Sequence, residues 1–453
     1  MSLRARLNFS ELSAIETKIN SNNGGEVFQE LKAKLHNQLI SRIDLANLFK
    51  VDQKQAQEEI RAILEELLLH EKIPLNHAEE KRLLRELEDE TFGLGPLEPL
   101  LTDPTINDIL VNHSKQVFVE RLGKLELTDI VFRDEVHLRQ IIDRIVSRVG
   151  RRIDESQPMV DARLPDGSRV NAIIPPLALN GASLSIRKFK ADPLKMKNLI
   201  SFGTINEEMA RLLELIVKAR INIVISGGTG SGKTTLLNIL SGFIPNSERV
   251  VTIEDAAELQ LQQRHVVRLE TRPPNLESRG AITQRDLVRN ALRMRPDRII
   301  VGEVRGAEAI DMLQAMNTGH EGSLTTVHAN STRDALYRLE TMMLMAESNM
   351  VEWTINRQIA SAIDVIIQVS RMGDGVRRLL SLSEITGMEG SVVAMQEIVS
   401  FQQKGVSVDG KIIGEFKFAG IRPRFLDRLK TMGLLSGIQL SKFEEAFKND
   451  SHH

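Results

Sequence analysis

The stretch Ile221-Asn-Ile-Val-Ile-Ser-Gly-Gly-Thr-Gly-Ser-Gly-Lys-Thr-Thr235 decides how the rest of the chain is read. Its first five residues form an apolar run that reads as a buried strand, and Thr235-Leu-Leu-Asn-Ile-Leu240 reads as a helix. Between them Gly227, Gly232, Lys233 and Thr234 fit G-x-x-x-x-G-K-[ST], with Gly228, Thr229, Gly230 and Ser231 at the open positions. Such a loop turns its backbone N–H groups toward phosphates. Lys233 supplies a point positive charge, the Thr234 hydroxyl can bind magnesium, and Thr235 follows at the helix N-terminus, which faces the anion. The residues call for a nucleoside triphosphate.

Working outward, Val250–Ile253, Arg298–Val301, Leu324–Val327 and Val365–Val369 are further strand-like runs alternating with helical stretches. That spacing predicts an α/β fold, a doubly wound sheet with the phosphate loop after its first central strand. Beyond Arg377 the sequence predicts hairpin strands around Gly387 and Gly410 and a helix near Arg422–Met432.

The chain has 453 residues, room for about three domains. Residues 1–25 end in Ser21-Asn-Asn-Gly-Gly25 and read as a flexible tail. Residues 26–91 carry Ile60, Ile63, Leu64, Leu67 and Leu68 at helical spacing and read as a helical bundle. Phe92-Gly-Leu-Gly-Pro-Leu-Glu-Pro99 breaks the helices and opens a smaller α+β domain, 92–190. In it Val117–Val119 and Ile130–Phe132 look like strands and Glu135–Val149 like a helix. Residues 191–203, with Asp192-Pro193, read as a linker, and 204–453 as the nucleotide domain with a carboxy-terminal extension.

With 59 basic and 61 acidic side chains the formal charge is −2, so bulk charge draws the chain to neither nucleic acid nor membrane. The absence of cysteine excludes disulfides and Cys-ligated zinc or iron–sulfur sites and fits a reducing cytosol. No signal peptide or membrane span is expected, and any membrane role is read as peripheral, through partners. His452-His453 reads as a terminal remnant, not a metal site.

Hydrolysis also needs carboxylates to position water and anchor magnesium. Glu254-Asp255 follows one strand, with Glu258 one helical turn on, and Glu303 follows another, with Gly302 where an ordinary P-loop enzyme has Asp. Glu254 and Glu303 are the catalytic pair, with Thr234 the candidate metal ligands, and which of the two is the base stays open. His320 and His328, in Thr318-Gly-His-Glu-Gly-Ser-Leu-Thr-Thr-Val-His-Ala-Asn330, flank a short strand as candidate phosphate sensors. Arg285, Arg289 and Arg293 fall four apart, either an ion-paired face or a subunit contact. Arg163, Arg169 and Arg187 are candidates for inserting a positive charge at a neighbour's γ-phosphate. Methionines 342, 343, 345 and 350 read as core filler.

Taken in this order, the motifs resemble the secretion superfamily of hexameric ATPases, specifically its tight-adherence (Flp-type) type IV pilus assembly branch. The superfamily pattern is a Walker A loop (Gly227–Thr234), an Asp box (Thr252–Glu258), an atypical Walker B (Ile299–Glu303) and a His box (Thr318–Asn330). The branch adds Phe92–Pro99 with Asp103-Pro104, Val160-Asp-Ala-Arg-Leu-Pro-Asp-Gly-Ser-Arg-Val-Asn-Ala-Ile-Ile-Pro-Pro176, and Ala291-Leu-Arg-Met-Arg-Pro-Asp-Arg-Ile-Ile-Val-Gly-Glu-Val-Arg-Gly306. The resemblance covers about residues 27–453. It implies a RecA-like motor domain joined by a linker to a mobile amino-terminal domain, a homo-hexameric ring, ATP and Mg2+ as cofactors, and a cytoplasmic location at the inner membrane. It also implies docking onto inner-membrane pilus platform proteins, where turnover drives pilin addition or removal.

The rival class is a RecA-like nucleic-acid motor, which should present a basic track and stacking aromatics. One Trp, one Tyr and a near-neutral charge offer little of either, so no nucleic-acid partner is expected. A switch without turnover is the other rival, and two well-placed glutamates argue for hydrolysis instead.

Overall fold

Ile60, Leu64 and Leu67 on one helix and Leu83, Leu84 and Leu87 on the next share a small core with Leu31, Leu35 and Leu39, as apolar residues at helical spacing should. These helices are α1 (Gln53–Glu71) and α2 (His77–Phe92). Asn76 caps α2 by accepting from the Ala78 and Glu79 amides, while Glu79 accepts from the Asn76 amide, a reciprocal capping box. The computed structural model describes residues 53–71, 76–121, 124–189, 194–274, 279–346 and 350–435, with scattered positions between 28 and 39. The tail 1–25, Asp192-Pro193 and His452-His453 lie outside the described residues.

The chain divides into one unit ending at Lys190 and another beginning at Ala191. In the first, β1 (Ile106–His113), β2 (Gln116–Arg121), β3 (Lys124–Leu127), α3 (Glu135–Arg148), β4 (Met159–Arg163), β5 (Arg169–Ile173) and β6 (Ser183–Arg187) follow the helices. The sheet order is β3-β2-β1-β6-β5-β4, antiparallel throughout. Every second residue, such as Val160, Val170 and Leu184, shares a core with Leu138, Ile141 and Ile145 of α3, so the alternate residues face solvent. The strand expected at Ile130–Phe132 does not form. Phe132 is instead a buried anchor whose amide donates to Ser114 O, and β3 takes the sheet edge. Glu90 of α2 is buried and contacts His137 Nε2 and Lys32 Nζ at 2.8 and 3.2 Å. Burial would raise its carboxyl, but these two partners outweigh burial and bring it down to about 2.

The second unit contains α4 (Glu207–Lys218), β7 (Ile223–Gly227), α5 (Lys233–Ser241), β8 (Val250–Glu254), β9 (Val266–Glu270), α6 (Gln284–Ala291), β10 (Arg298–Val304), α7 (Glu308–Asn317), β11 (Leu324–Val327), α8 (Thr332–Ala346), α9 (Glu352–Ala362), β12 (Val365–Arg371), β13 (Arg377–Glu389), β14 (Val392–Val406), β15 (Ile412–Phe418) and α10 (Phe425–Thr431). Its sheet runs β15-β14-β13-β12-β7-β11-β10-β8-β9. Strands β12 to β9 in that order are parallel, and β13 to β15 are antiparallel. Ile223 and Ile225 of β7 enter a core with α4, α5 and α10, whereas Val224 enters one with α6, α7, α8 and α9. Helices on both faces make the doubly wound α/β fold that the sequence predicts.

Two local readings sharpen and one changes. The β13–β14 turn falls at Gly390, while Gly387, with φ +122°, sits at a register shift inside β13. The last helix spans only Phe425–Thr431. Met342 and Met343 are buried and Met350 packs against the core, but Met345 is 82% exposed, because it lies on the face of α8 opposite Leu336, Leu339 and Met343.

Arg298 opens β10 fully buried. It donates to both carboxylate oxygens of Glu248, at 2.6 and 3.2 Å, and to Val217 O at 2.7 Å. Glu248→Ala leaves this guanidinium buried without its counter-charge and is expected to cost roughly 3–5 kcal/mol. Urea unfolding of the purified variant checks this; a loss under about 1 kcal/mol would mean water reaches the site.

Candidate active site

The loop grows out of β7, all five of whose residues are buried. Gly227 has no room for a side chain, since a Cβ there would lie 2.5 Å from Val369 O. Gly230 and Gly232 have φ +69° and +97°, the left-handed region that glycine enters without strain. Ser231 is buried and its Oγ donates to Gly228 O at 2.8 Å. α5 begins at Lys233, so the amides of its first turn, through Thr234 and Thr235, face the loop. Lys233 Nζ donates to Gly228 O at 3.0 Å. Burial pulls its ammonium below the ordinary lysine range, and the nearby Glu303 carboxylate counteracts this.

The two carboxylates arrive on neighbouring parallel strands. Glu254 ends β8 and is buried, its Oε2 accepting from the Glu258 and Leu259 amides at 2.8 and 2.9 Å. Burial raises its carboxyl above the usual range. A Cβ on Gly302 would meet Glu254 Cγ at 3.1 Å, a tight contact to which the Glu254 side chain would have to give way. Register between β10 and β11 shifts between Val301 and Val304, a bulge of the kind that re-aims side chains beside active sites. Thr326 Oγ1 donates to Gly302 O within that bulge at 2.8 Å. Glu303 Oε2 accepts from Arg305 Nε and Nη2 at 2.9 and 2.5 Å, and Arg305 Nη1 lies 3.5 Å from Asp255 Oδ2.

The His-containing segment is divided by β11. His328 is exposed just past Val327, which pairs with Ser226 on one side and Val304 on the other, so it stands at the loop end of the sheet. His320 precedes the strand at its opposite end, with Nδ1 3.3 Å from Ala315 O; the structure does not bring it to the loop. Its neighbours serve the fold: Asn222 Oδ1 accepts from the Gly322 and Ser323 amides, and Gly322 is kept small by Arg298, whose Nη1 lies 2.7 Å from where a Cβ would sit.

Arg163, Arg169 and Arg187 occupy one rung of the first unit's sheet, Arg163 opposite Arg169 and Arg169 opposite Arg187. Asp108 of β1 continues the rung and lies 3.3 Å from Arg187 Nε, while Arg169 Nη2 is 3.7 Å from Asp161. Arg285 and Arg289 both donate to the buried Asp311, at 2.7 and 2.9 Å, which makes that stripe an ion-paired face; Arg293 lies past the end of α6. Sequence reasoning did not single out Arg305, though its place two residues after Glu303 was a usable signal, or Arg377, whose Nε donates to Gly230 O at 2.8 Å.

Glu254 Oε1 is buried with no hydrogen-bond partner among the described residues. A desolvated, unsatisfied carboxylate oxygen calls for a water or a cation, so the residues fit magnesium. Among the described residues no cluster of three or more His, Asp or Glu side chains could hold a metal alone; the ion would come with the nucleotide's phosphates, as magnesium usually does.

Residues 90–405 match the family model described as Type II/IV secretion system protein. The chain is 41% identical, over 332 residues, to a Mycobacterium tuberculosis protein with a provisional conjugal-transfer name, spanning 72% of this chain and 93% of that one. It is 33% identical over 311 residues to conjugal transfer protein TrbB of Rhizobium radiobacter, spanning 68% and 91%. The VirB11 ATPase of the Brucella suis type IV secretion system, in complex with sulphate, aligns over 65% of this chain and 97% of that one at 30% identity and a TM-score of 0.35.

Proposed function

The chain belongs to the Type II/IV secretion system protein family and is an ATPase of that family, and from that premise we propose that it is a hexameric motor of tight-adherence (Flp-type) type IV pilus assembly. The observation that supports the ATPase chemistry is a phosphate-loop lysine, Lys233, with Glu303 nearby, and a second carboxylate, Glu254, at the end of the strand next to that of Glu303. The pilus assignment is supported by the motif resemblance in residues 92–176 and 291–306.

In this reading the amides of Gly227–Thr234 cradle the phosphates and Lys233 balances their charge. Glu254, its basicity raised by burial, and Glu303 orient the attacking water, and one of the two takes its proton. Magnesium bound by Thr234, Glu254 and Glu303 would draw charge from the phosphate oxygens. Arg169 and Arg187, with Arg163, complete the site of a neighbouring subunit. Three arginines in one rung repel one another, an arrangement that suits sharing a polyanion. Residues 92–190 then act as the nucleotide-capping domain, 191–203 as a linker and 204–453 as the motor. Among the described residues no helix is long and apolar enough to cross a membrane. In this reading, attachment to the inner membrane runs through platform proteins.

Turnover per subunit, measured across a dilution series alongside light scattering, is expected to fall as the ring dissociates. A rate indifferent to assembly would remove the intersubunit site. Added single- or double-stranded DNA is expected to leave the rate unchanged; stimulation would favour a nucleic-acid motor.

A further inference from the structure

β12 lies parallel to β7 with Val369 opposite Gly227, then reverses through Met372-Gly-Asp-Gly-Val376 into β13. The Met372 amide donates to Val376 O, and the Gly375 amide to Met372 O. Arg378 locks the turn with two 2.9 Å bonds to Asp374, both side chains buried, and Asp374 also accepts from the Val376 and Ile412 amides. This turn is a rigid shelf beside the phosphate loop.

Arg377, the neighbouring residue, has its side chain on the other face of the strand. Its Nε donates to Gly230 O at 2.8 Å, and its Cδ lies 3.2 Å from where a Cβ on Gly232 would sit. The stem therefore covers one glycine with φ in the left-handed region while the head holds the carbonyl of the other. Arg377 is exposed, and among the described residues no carboxylate pairs with it. A guanidinium carries five N–H donors, and Gly230 uses one.

We propose that Arg377 is a positioning residue for the nucleotide, acting within its own subunit. It fixes the Gly230 carbonyl from outside, so the loop amides stay turned toward the phosphates, and its remaining donors add positive field there. Two glycines in the loop have wide backbone freedom. Without the arginine, ATP binding must order them itself, a cost that preorganisation removes. The backbone amides that Arg377 helps to hold grip ground state and transition state alike, so the loss falls on binding, not on the chemical step. The inference rests on the reading of Gly227–Thr234 as the nucleotide site.

The test compares Arg377→Ala, Arg377→Lys and Lys233→Ala in the full chain, by calorimetry with magnesium and ATP and by steady-state kinetics. Arg377→Ala is expected to raise Kd and KM about tenfold and to leave kcat within about twofold, the loss of one charge-assisted contact. Arg377→Lys should recover part of the loss, with an unchanged unfolding midpoint in both. Wild-type Kd and KM in Arg377→Ala overturn the proposal. So does a fall in kcat at constant KM, or a lowered midpoint in both variants. In each of those cases Lys233→Ala still loses ATP. Were Lys233→Ala to bind ATP like the wild type, the loop assignment itself would fail.

Discussion

Lys233→Ala is expected to cut ATP turnover by at least about 10² to 10³, the usual cost of removing one preorganised electrostatic partner from developing phosphate charge. Among the described residues the lysine meets no carboxylate at hydrogen-bond distance; its contact is Gly228 O at 3.0 Å. Removing it therefore leaves no buried group unpaired that water cannot satisfy. The variant should fold with a normal unfolding midpoint, so lost activity can be ascribed to the site. Burial already holds the ammonium below its ordinary range, the state of a charge short of solvent and ready to donate to phosphate oxygens in exchange. Lys233→Arg is expected to fail nearly as badly, because a planar guanidinium cannot replace a compact point charge at the first residue of α5. Phosphate release at saturating ATP measures both. Wild-type rates in Lys233→Ala would overturn the assignment of the loop.

What the sequence showed of this site follows from how locally each part is encoded. The loop was legible because its conformation depends on eight consecutive residues whose glycines and lysine have few other uses. Glu254 and Glu303 were legible because apolar runs mark strand ends, and parallel strands bring their carboxyl ends to one edge. The tight contact at Gly302 was not, since it runs across strands to Glu254, far away in the chain. Arg377 reaches Gly230 across 147 positions and carries no local pattern. The paired histidines part because a motif continuous in sequence spans a whole strand: His328 reaches the loop end and His320 the other. Ile130–Phe132 resembled a strand because three apolar residues satisfy a short-strand pattern, while only Phe132 is fully buried, with Ile130 partly so and Val131 exposed. Met345 shows the limit of helical spacing, which says that residues share a face without saying which face is covered.

Replacing both Arg169 and Arg187 with alanine is expected to lower turnover of the assembled protein about 10³-fold or more, the range for loss of an arginine finger, while ATP binding persists. The two residues are exposed, and their partners Asp161 and Asp108 are surface pairs at 3.7 and 3.3 Å, worth little to folding. Relief of like charges on one rung offsets even that. Binding and catalysis therefore separate: Lys233→Ala should lose both, and the double arginine variant only the second. That separation alone does not say whose phosphates the arginines serve. Mixing does. In a ring assembled from both variants, some arginine-deficient subunits keep an intact loop and sit beside a Lys233→Ala subunit whose arginines are intact. If the arginines act on a neighbour's nucleotide, that junction is whole, and the mixture recovers turnover that neither variant shows alone. If they act within their own subunit, every junction lacks either the lysine or the arginines, and the mixture stays as inactive as its parts. Recovery at equal mixing, read against each variant at the same total concentration, therefore decides whether hydrolysis is completed across a subunit boundary.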